Sequence, residues 1–307
     1  MKVGQLGEFE LINRLKEILK SELIGDDTAP IKIESESTLL LTTDTMNEGI
    51  HFLKSYLPEA VGWKAISVNV SDIVSNGGYP EWVLISLSIP EDLESSYVER
   101  LYKGIDRACK FYKCKVVGGN IAKLEKISIS VFVLGRAERF VGRKGAKPGD
   151  SLFVSGTLGD SRAGLELILM NKKEYEPFEL ALIERHLRPT ARIDYVKHIQ
   201  KYANASMDIS DGLLSDVWHL SERSSVKVEI FSEKLPISKE LKLFCEKYGK
   251  NPIDYALVGG EDYQLLFTHP KSSWNPFLDM TEIGKISEGQ GVFVDGKPAK
   301  PKGWRHF

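Results

Sequence analysis

The segment from Pro58 to Gly77 restricts the fold of this chain more than any other. It reads as a helix stopped by Gly77-Gly78. Val68, Val70, Ile73 and Val74 leave it apolar nearly all round, so it must be covered by neighbouring elements. Yet Asn69, Asp72 and Asn76 fall at i, i+3 and i+7, on one face of that helix. A buried aspartate requires a hydrogen-bonding partner or a metal. The wet face of an ordinary helix is the alternative, and the apolar neighbours weigh against it.

Upstream, Leu39-Leu40-Leu41 reads as a short buried strand. It delivers Thr42, Thr43 and Asp44 at its end, followed by a turn and His51. Carboxylate and hydroxyl oxygens presented together suit a hard cation such as Mg²⁺; a turn cap is the other reading of Asp44. Before it, Leu6, Phe9, Leu11, Ile12, Leu15, Ile18 and Leu19 recur at helical spacing. That helix leads to a loop, Gly25-Asp26-Asp27-Thr28-Ala29-Pro30, whose adjacent carboxylates are either solvated decoration or cation ligands.

Downstream, strands are expected over Trp82–Pro90 and Lys126–Ala137, and a helix carrying Tyr102 over Ser95–Tyr112. A short strand, Lys115–Val117, ends in Gly118-Gly119-Asn120, read as a turn whose backbone can approach an anion. Gly142–Asp150 is basic and rich in Gly and Pro, and marks a domain junction. Its Arg143 either reaches a nucleotide phosphate or is merely solvated. Ser151–Asp160 is a strand and Gly-rich turn leading into a helix at Ser161–Met170. It matches neither the P-loop nor the dinucleotide fingerprint, so a structural turn is the better reading. Helices follow at Phe178–His186 and Ala191–Tyr202. Next, Asp208 stands at a strand end, Ser210 and Asp211 in a turn, and a helix starts near Leu213, where Asp211 is an alternative N-cap. Gly259-Gly260-Glu261-Asp262-Tyr263 again sets a glycine doublet beside acids, ahead of a strand over Gln264–Thr268. Near the end, Trp304 is a packing anchor or a platform for a flat ligand.

Composition removes several functional classes. A net charge of −2 in 307 residues carries no electrostatic footprint for nucleic acid or an anionic membrane. Cys109, Cys114 and Cys245 form no CxxC pair, which fits a reducing cytoplasm. The first residues lack an apolar signal core, and no run approaches the length of a membrane span. The six histidines lack zinc-type spacing. Asp26, Asp27, Asp44, Asp72, Asp208 and Asp211 remain. If they converge, several divalent cations must offset their repulsion. Multiple Mg²⁺ ions beside an anion-cradling backbone suit phosphoryl transfer.

The motifs Gly25-Asp-Asp-Thr-Ala29, Thr42-Thr-Asp-Thr-Met-x-Glu-Gly-Ile-His-Phe52, Asn69-x-Ser-Asp-Ile73, Gly118-Gly-Asn120, Arg143-x-Gly-Ala-x-Pro-Gly-Asp150, Met207-Asp-x-Ser-Asp-Gly-Leu213, Gly259-Gly-Glu-Asp-Tyr263 and the Gly303-Trp-x-His-Phe307 ending span nearly the whole chain. In this order they resemble the thiamine-monophosphate kinase family, within the aminoimidazole ribonucleotide synthetase-like superfamily. The resemblance implies an α/β (α+β) fold of two domains. Residues 1–141 would form an N-terminal ATP- and Mg²⁺-binding domain whose mixed sheet makes a homodimer interface. Residues 142–307 would form a C-terminal α/β domain. It further implies ATP-dependent phosphorylation of thiamine monophosphate to thiamine diphosphate by direct in-line transfer of the γ-phosphate.

Carried onto this sequence, the resemblance assigns Mg²⁺ ligands to Asp27, Thr42, Thr43, Asp44, Asp72, Asn120, Asp208 and Asp211. It assigns ATP to Tyr102, Gly119, Asn120, Arg143 and Ser210, and the thiamine phosphate to His51, Glu261 and Trp304. No general base is expected, because the accepting phosphate is already an oxyanion. Asn47 and Ser75-Asn76 are more polar than the family pattern, but none is a proposed ligand. The rival readings are another ATP-dependent synthetase of the same fold and a nucleotide-binding regulatory subunit without turnover. A selenophosphate synthetase would need a reactive cysteine near the N-terminus, whereas the first here is Cys109.

Overall fold

A computed structural model of the chain describes residues 28–32, 37–273, 275–276 and 278–303. The amphipathic segment Leu6–Leu19, Asp26, Asp27 and Trp304 lie outside the described residues. The protein is a mixed α/β structure built on two sheets. The first has the order β1-β2-β5-β3-β4, from β1 (Ala29–Lys32), β2 (Thr38–Asn47), β3 (Tyr79–Ile89), β4 (Lys115–Lys123) and β5 (Ser128–Ala137). Strict alternation along β5 sends Ile129, Val131, Val133 and Ala137 to one buried face. Helices α1 (Pro58–Ser75) and α2 (Ser95–Tyr112) pack on that face.

The expected covering of α1 is found. Fifteen of its residues are buried, including Lys64, Ser67, Asn69, Ser71 and Ser75. The first sheet, α2 and strands of the second sheet all touch it. Its crossing with α2 is backbone on backbone. A Cβ on Gly62 would stand 2.1 Å from the Leu101 carbonyl oxygen, and one on Gly104 would stand 2.1 Å from that of Glu59.

Two local readings need correction. Strand β2 runs on to Asn47, paired with β5 throughout, so Thr42, Thr43 and Asp44 lie mid-strand rather than at its end. Likewise Gly118-Gly119-Asn120 is no turn: β4 continues to Lys123 in parallel register with β3. The glycine serves the ladder here, since a Cβ on Gly119 would meet the Ile85 carbonyl oxygen at 2.1 Å.

The second sheet, ordered β12-β11-β8-β10-β6-β9-β7, comprises β6 (Ser151–Ser155), β7 (Ala205–Ile209), β8 (Lys227–Ile230), β9 (Gln264–His269), β10 (Met280–Ser287), β11 (Gly291–Val294) and β12 (Lys297–Ala299). Around it run α3 (Asp160–Met170), α4 (Pro177–Leu187), α5 (Val196–Tyr202), α6 (Leu213–Ser224), α7 (Lys239–Tyr248) and α8 (Pro252–Val258). The helix expected from Ala191 begins only at Val196. The Ala191 N–H donates to the Tyr112 hydroxyl (2.9 Å), and Ile193–Tyr195 forms a single 3₁₀ turn. Among the described residues, no helix is long and apolar enough to cross a membrane.

The α1–α2 contact predicts that Gly62→Val or Gly104→Val will lower the melting temperature by several degrees. Overpacking of this kind costs about 1–3 kcal/mol. A thermal melt within one degree of wild type for both variants would show that the crossing yields.

Candidate functional site

Antiparallel register sets Thr42 opposite Val133 and Asp44 opposite Val131, on the sheet face that α1 covers. The Thr42 hydroxyl donates to an Asp72 carboxylate oxygen at 2.6 Å. Among the described residues β1 pairs with β2 from Thr38 to Leu41, and the Asp44 N–H is met by a side chain of α1. That side chain belongs to Asn69. Its Nδ2 donates to the Ala65 carbonyl (3.0 Å) and its Oδ1 accepts the Asp44 N–H (2.8 Å). Asn76, at the end of α1, bridges the Thr28 hydroxyl and the Val141 carbonyl. Of the polar stripe on α1, only Asp72 is left to face the site. Thr43 points to the opposite sheet face with Phe132, and its hydroxyl donates to the Val131 carbonyl at 3.0 Å.

The second half supplies Asp208, on β7 beside β9, which accepts from the Ser71 hydroxyl of α1 at 2.6 Å. After β7 comes the Ser210-Asp211-Gly212 turn. Gly212 is the N-cap of α6 and no side chain caps that helix, so Asp211 is not its cap. The glycine doublet now has a physical reason. A Cβ on Gly260 would press within 2.7 Å of the Ser210 carbonyl oxygen, and one on Gly259 within 2.5 Å of that of Tyr255. That approach lets the Glu261 N–H donate to the Ser210 carbonyl (2.7 Å) and the Tyr263 N–H to that of Ile209 (3.0 Å). Glu261 and Tyr263 adopt positive φ of 65° and 49°, a strained geometry held by these bonds.

Tyr263 lies among the carboxylates. Burial, then Glu261, Asp44, Asp208 and Asp72, push its hydroxyl well above the usual phenol range, so it stays protonated. The sequence reading quoted this tyrosine within a motif but gave it no role, and only its place beside four acids marks it. Asp262, of the same motif, is structural: it accepts the N–H groups of Gly159 and Ser161 at the start of α3.

The acceptor-side residues are tied to the same region. Asn47 donates its N–H to His51 Nδ1 at 3.0 Å, which leaves the neutral ring's proton on Nε2 as a donor. Glu261 pairs with Lys64 at 2.7 Å. Its second oxygen lies 3.5 Å from His186 Nδ1, and His186 Nε2 meets the Tyr56 hydroxyl at 2.9 Å. Burial is outweighed by the Lys64 ammonium, which holds the Glu261 carboxyl below its usual range. At the junction, the Gly142 carbonyl accepts the Ser206 N–H (3.0 Å), seating Arg143 beside β7, two residues from Asp208. Gly303 lies against the Asp211 carbonyl of the Ser210–Asp211 turn.

Tyr102, Gly119 and Asn120 are not brought to this pocket within one chain. Asp44, Val131, Ile85 and Gly119 form one row across four strands, which sets Gly119 roughly 14 Å from Asp44 at about 4.8 Å per strand. Asn120 pairs with Ser86 on the outer face. Tyr102 lines a groove of about 850 Å³ with Leu93, Ile121 and Lys123.

Hard oxygen donors make up the pocket, the donor set that suits Mg²⁺. Among the described residues, no three His, Cys, Asp or Glu side chains close on one point as a preformed metal cage. Mg²⁺ fits such a site because it takes one or two protein carboxylates and fills its shell with water and phosphate oxygens.

The part of the chain built on the first sheet is an AIR synthase-related N-terminal domain. Residues 25–137 match the family model "AIR synthase related protein, N-terminal domain". The chain is 74% identical to the thiamine-monophosphate kinase of Aquifex aeolicus (strain VF5) over 100% of both sequences. It is 36% identical to that of Haemophilus influenzae over 98% of each. It therefore belongs to the thiamine-monophosphate kinase family. A solved structure of AaThiL complexed with AMPPCP and TMP superposes with a TM-score of 0.99 at 74% identity, covering 100% of this chain and 99% of that one. The hydrogenase maturation protein HypE in complex with ATP, 15% identical with a TM-score of 0.71, shares the fold alone; the match covers 98% of this chain and 97% of that one.

His186 makes stability sensitive to acid. Burial, then Lys64, lower its pKa from 6.5 to about 3. The unfolded chain therefore binds a proton below pH 6.5 that the folded protein refuses, and this contribution is lost as pH falls from 6.5 toward 3. The stability gap between wild type and His186→Gln should narrow by roughly 1.4 kcal/mol per pH unit in that window. Urea titrations at pH 7 and pH 5 read the gap, and an unchanged gap would count against a neutral buried imidazole.

Proposed function

We propose that this chain transfers the γ-phosphate of ATP to thiamine monophosphate, giving thiamine diphosphate and ADP. The observation that carries this reading is that helix α1 holds the segments of Asp44, Asp72, Asp208 and Glu261 together through Asn69, Thr42, Ser71 and Lys64, in a chain 74% identical to a protein solved with AMPPCP and TMP. AMPPCP is an ATP analogue, and TMP is read here as thiamine monophosphate.

The acceptor phosphate is already nucleophilic, so the protein's task is alignment and charge neutralisation rather than proton removal. Asp44, Asp72 and Asp208, with Thr42 and Asp211, would hold Mg²⁺, and Asp27 joins them in the proposal. Mg²⁺, when bound, neutralises the phosphate oxygens and supplies the electrostatic stabilisation that phosphoryl transfer needs. Arg143 and Ser210 would hold ATP phosphates from the β7 side. His51 Nε2–H donates to the acceptor phosphate, while Glu261 and Trp304 hold the thiamine portion, whose thiazolium is cationic.

Thr43 and Asn120 enter this reading through a second copy of the chain. Thr43 and Asn120 share the outer sheet face, which also exposes Trp82, Leu84 and Val117 beside Phe132 and Leu134. An apolar sheet face of this kind marks a protein contact. A homodimer through it would bring Asn120 of the partner subunit toward Thr43, while Tyr102 and Gly119, on α2 and the edge strand β4, remain proposed ATP contacts. Residues 1–141 would then carry dimerisation and most metal ligands, and 142–307 the Asp208–Asp211 and Glu261 loops. Free Cys109, Cys114 and Cys245 accord with a reducing compartment, and the cytoplasm is the proposed location.

Mixing the protein with ATP, Mg²⁺ and thiamine monophosphate should yield thiamine diphosphate in step with ADP. ADP without thiamine diphosphate would reassign the acceptor. Asp44→Asn and Asp72→Asn should each lower turnover by about 100-fold or more at saturating Mg²⁺, with melting temperatures little changed; near-normal turnover would remove them from the metal site. Leu84→Asp should shift the protein to monomer by light scattering and depress activity with it. An intact dimer would place the interface elsewhere.

A further inference from the structure

Lys64 is 1% exposed on the covered helix α1, and none of the roles assigned above uses it. A buried ammonium is costly unless paired. Its amine lies 2.7 Å from one Glu261 oxygen and 3.4 Å from the His51 carbonyl oxygen. These two residues, far apart in sequence, are the ones proposed to hold the acceptor substrate. We infer that Lys64 is the positioning residue of the acceptor subsite, fixing the Glu261 carboxylate and tying the His51 turn to the same point. The inference rests on the kinase reading of that subsite and goes beyond it by naming the group that builds it.

The surroundings leave Glu261 few alternatives. Its backbone is held at positive φ by the bond to Ser210, which fixes where the side chain starts. One carboxylate oxygen is taken by Lys64. The other faces the neutral His186, which also touches the Ser161 hydroxyl (3.0 Å) and is anchored by Tyr56. The Tyr56 phenol stays protonated under burial and the charge of Glu261, so it donates to Nε2 and leaves the His186 proton on Nδ1, toward Glu261 and Ser161. Glu261 is partly exposed, at 28%, while Lys64 is not. A ligand can therefore reach the carboxylate but not the ammonium behind it. Such an arrangement presents an ionised acceptor of fixed orientation to a cationic or N–H-bearing ring, while the cation behind it cannot compete for solvent.

The test is binding of thiamine monophosphate by calorimetry, at saturating Mg²⁺, with binding of AMPPCP measured separately. Lys64→Met should weaken thiamine monophosphate by about tenfold to a hundredfold, the range of a charge-assisted hydrogen bond, and change AMPPCP affinity less than threefold. Lys64→Arg, which keeps the charge, should recover part of the loss. Should Lys64→Met fail to fold, Lys64→Met/Glu261→Gln removes the unpaired carboxylate, and it should bind thiamine monophosphate within threefold of Glu261→Gln alone. A further large loss in the double variant, or parallel losses of both ligands in Lys64→Met, would overturn the inference. Wild type binding normally with Lys64→Met doing the same would remove the role of Lys64 alone. Wild type that binds no thiamine monophosphate would instead remove the acceptor reading itself.

Discussion

The structure depends on what the buried helix α1 does with its polar side chains. A helix covered on every side has no water to satisfy them, so each must find a partner in a neighbouring element. Ser71 reaches Asp208 on the second sheet, Asp72 accepts from Thr42 on the first, Asn69 accepts the Asp44 N–H, and Lys64 reaches the Glu261 loop. Three elements remote in sequence, β2, β7 and the Glu261 loop, are thereby held around one helix. The same bonds that satisfy the core also set the angles of the acidic groups, so the interior and the site are one construction.

The second constraint is steric. The Ser210–Gly212 turn and the Gly259–Tyr263 loop approach so closely that side chains at Gly259 or Gly260 would strike backbone. Glu261 and Tyr263 accept positive φ in return. Strain of this kind persists only where surrounding bonds over-determine it, and it clusters at functional sites. Here it turns a glutamate and a tyrosine inward, toward carboxylates that would otherwise repel one another. Hydroxyl donors from Thr42 and Ser71 temper that repulsion, which is why the pocket persists with its acids uncaged.

The outer face of the first sheet completes the picture in a different way. Its inner face is closed by α1 and α2, whereas Trp82, Leu84 and Val117 remain exposed on the other. Alternation along β2 sends Thr42 and Asp44 inward and Thr43 outward, and parallel pairing with β3 sends Asn120 outward as well. The candidate ligands are thus divided between two faces of one sheet, which the proposed second copy would reunite.

Much of this was legible in the residues themselves. An all-round apolar helix must be covered, and its Asp72 must be partnered, whatever the fold around it. The order of the acidic and glycine motifs carried the family, because those motifs together specify a site. Local order was less legible. Nothing in Gly118-Gly119-Asn120 distinguishes a turn from a strand, since both use glycine's freedom, and only the β3 ladder decides. The strand end expected after Leu41 disappeared because β5 pairs with β2 to Asn47. The sequence alone determined which residue types must meet: hard oxygen donors, a covered helix and glycines where backbones touch. Only the tertiary structure decided which of them do meet, and from which face. It makes Asn69 and Asn76 braces rather than ligands, gives Tyr263 its place among the acids, and joins Lys64 to Glu261. Each depends on contacts between segments with no short-range signal, where burial removes water and leaves the protein as the sole hydrogen-bonding partner.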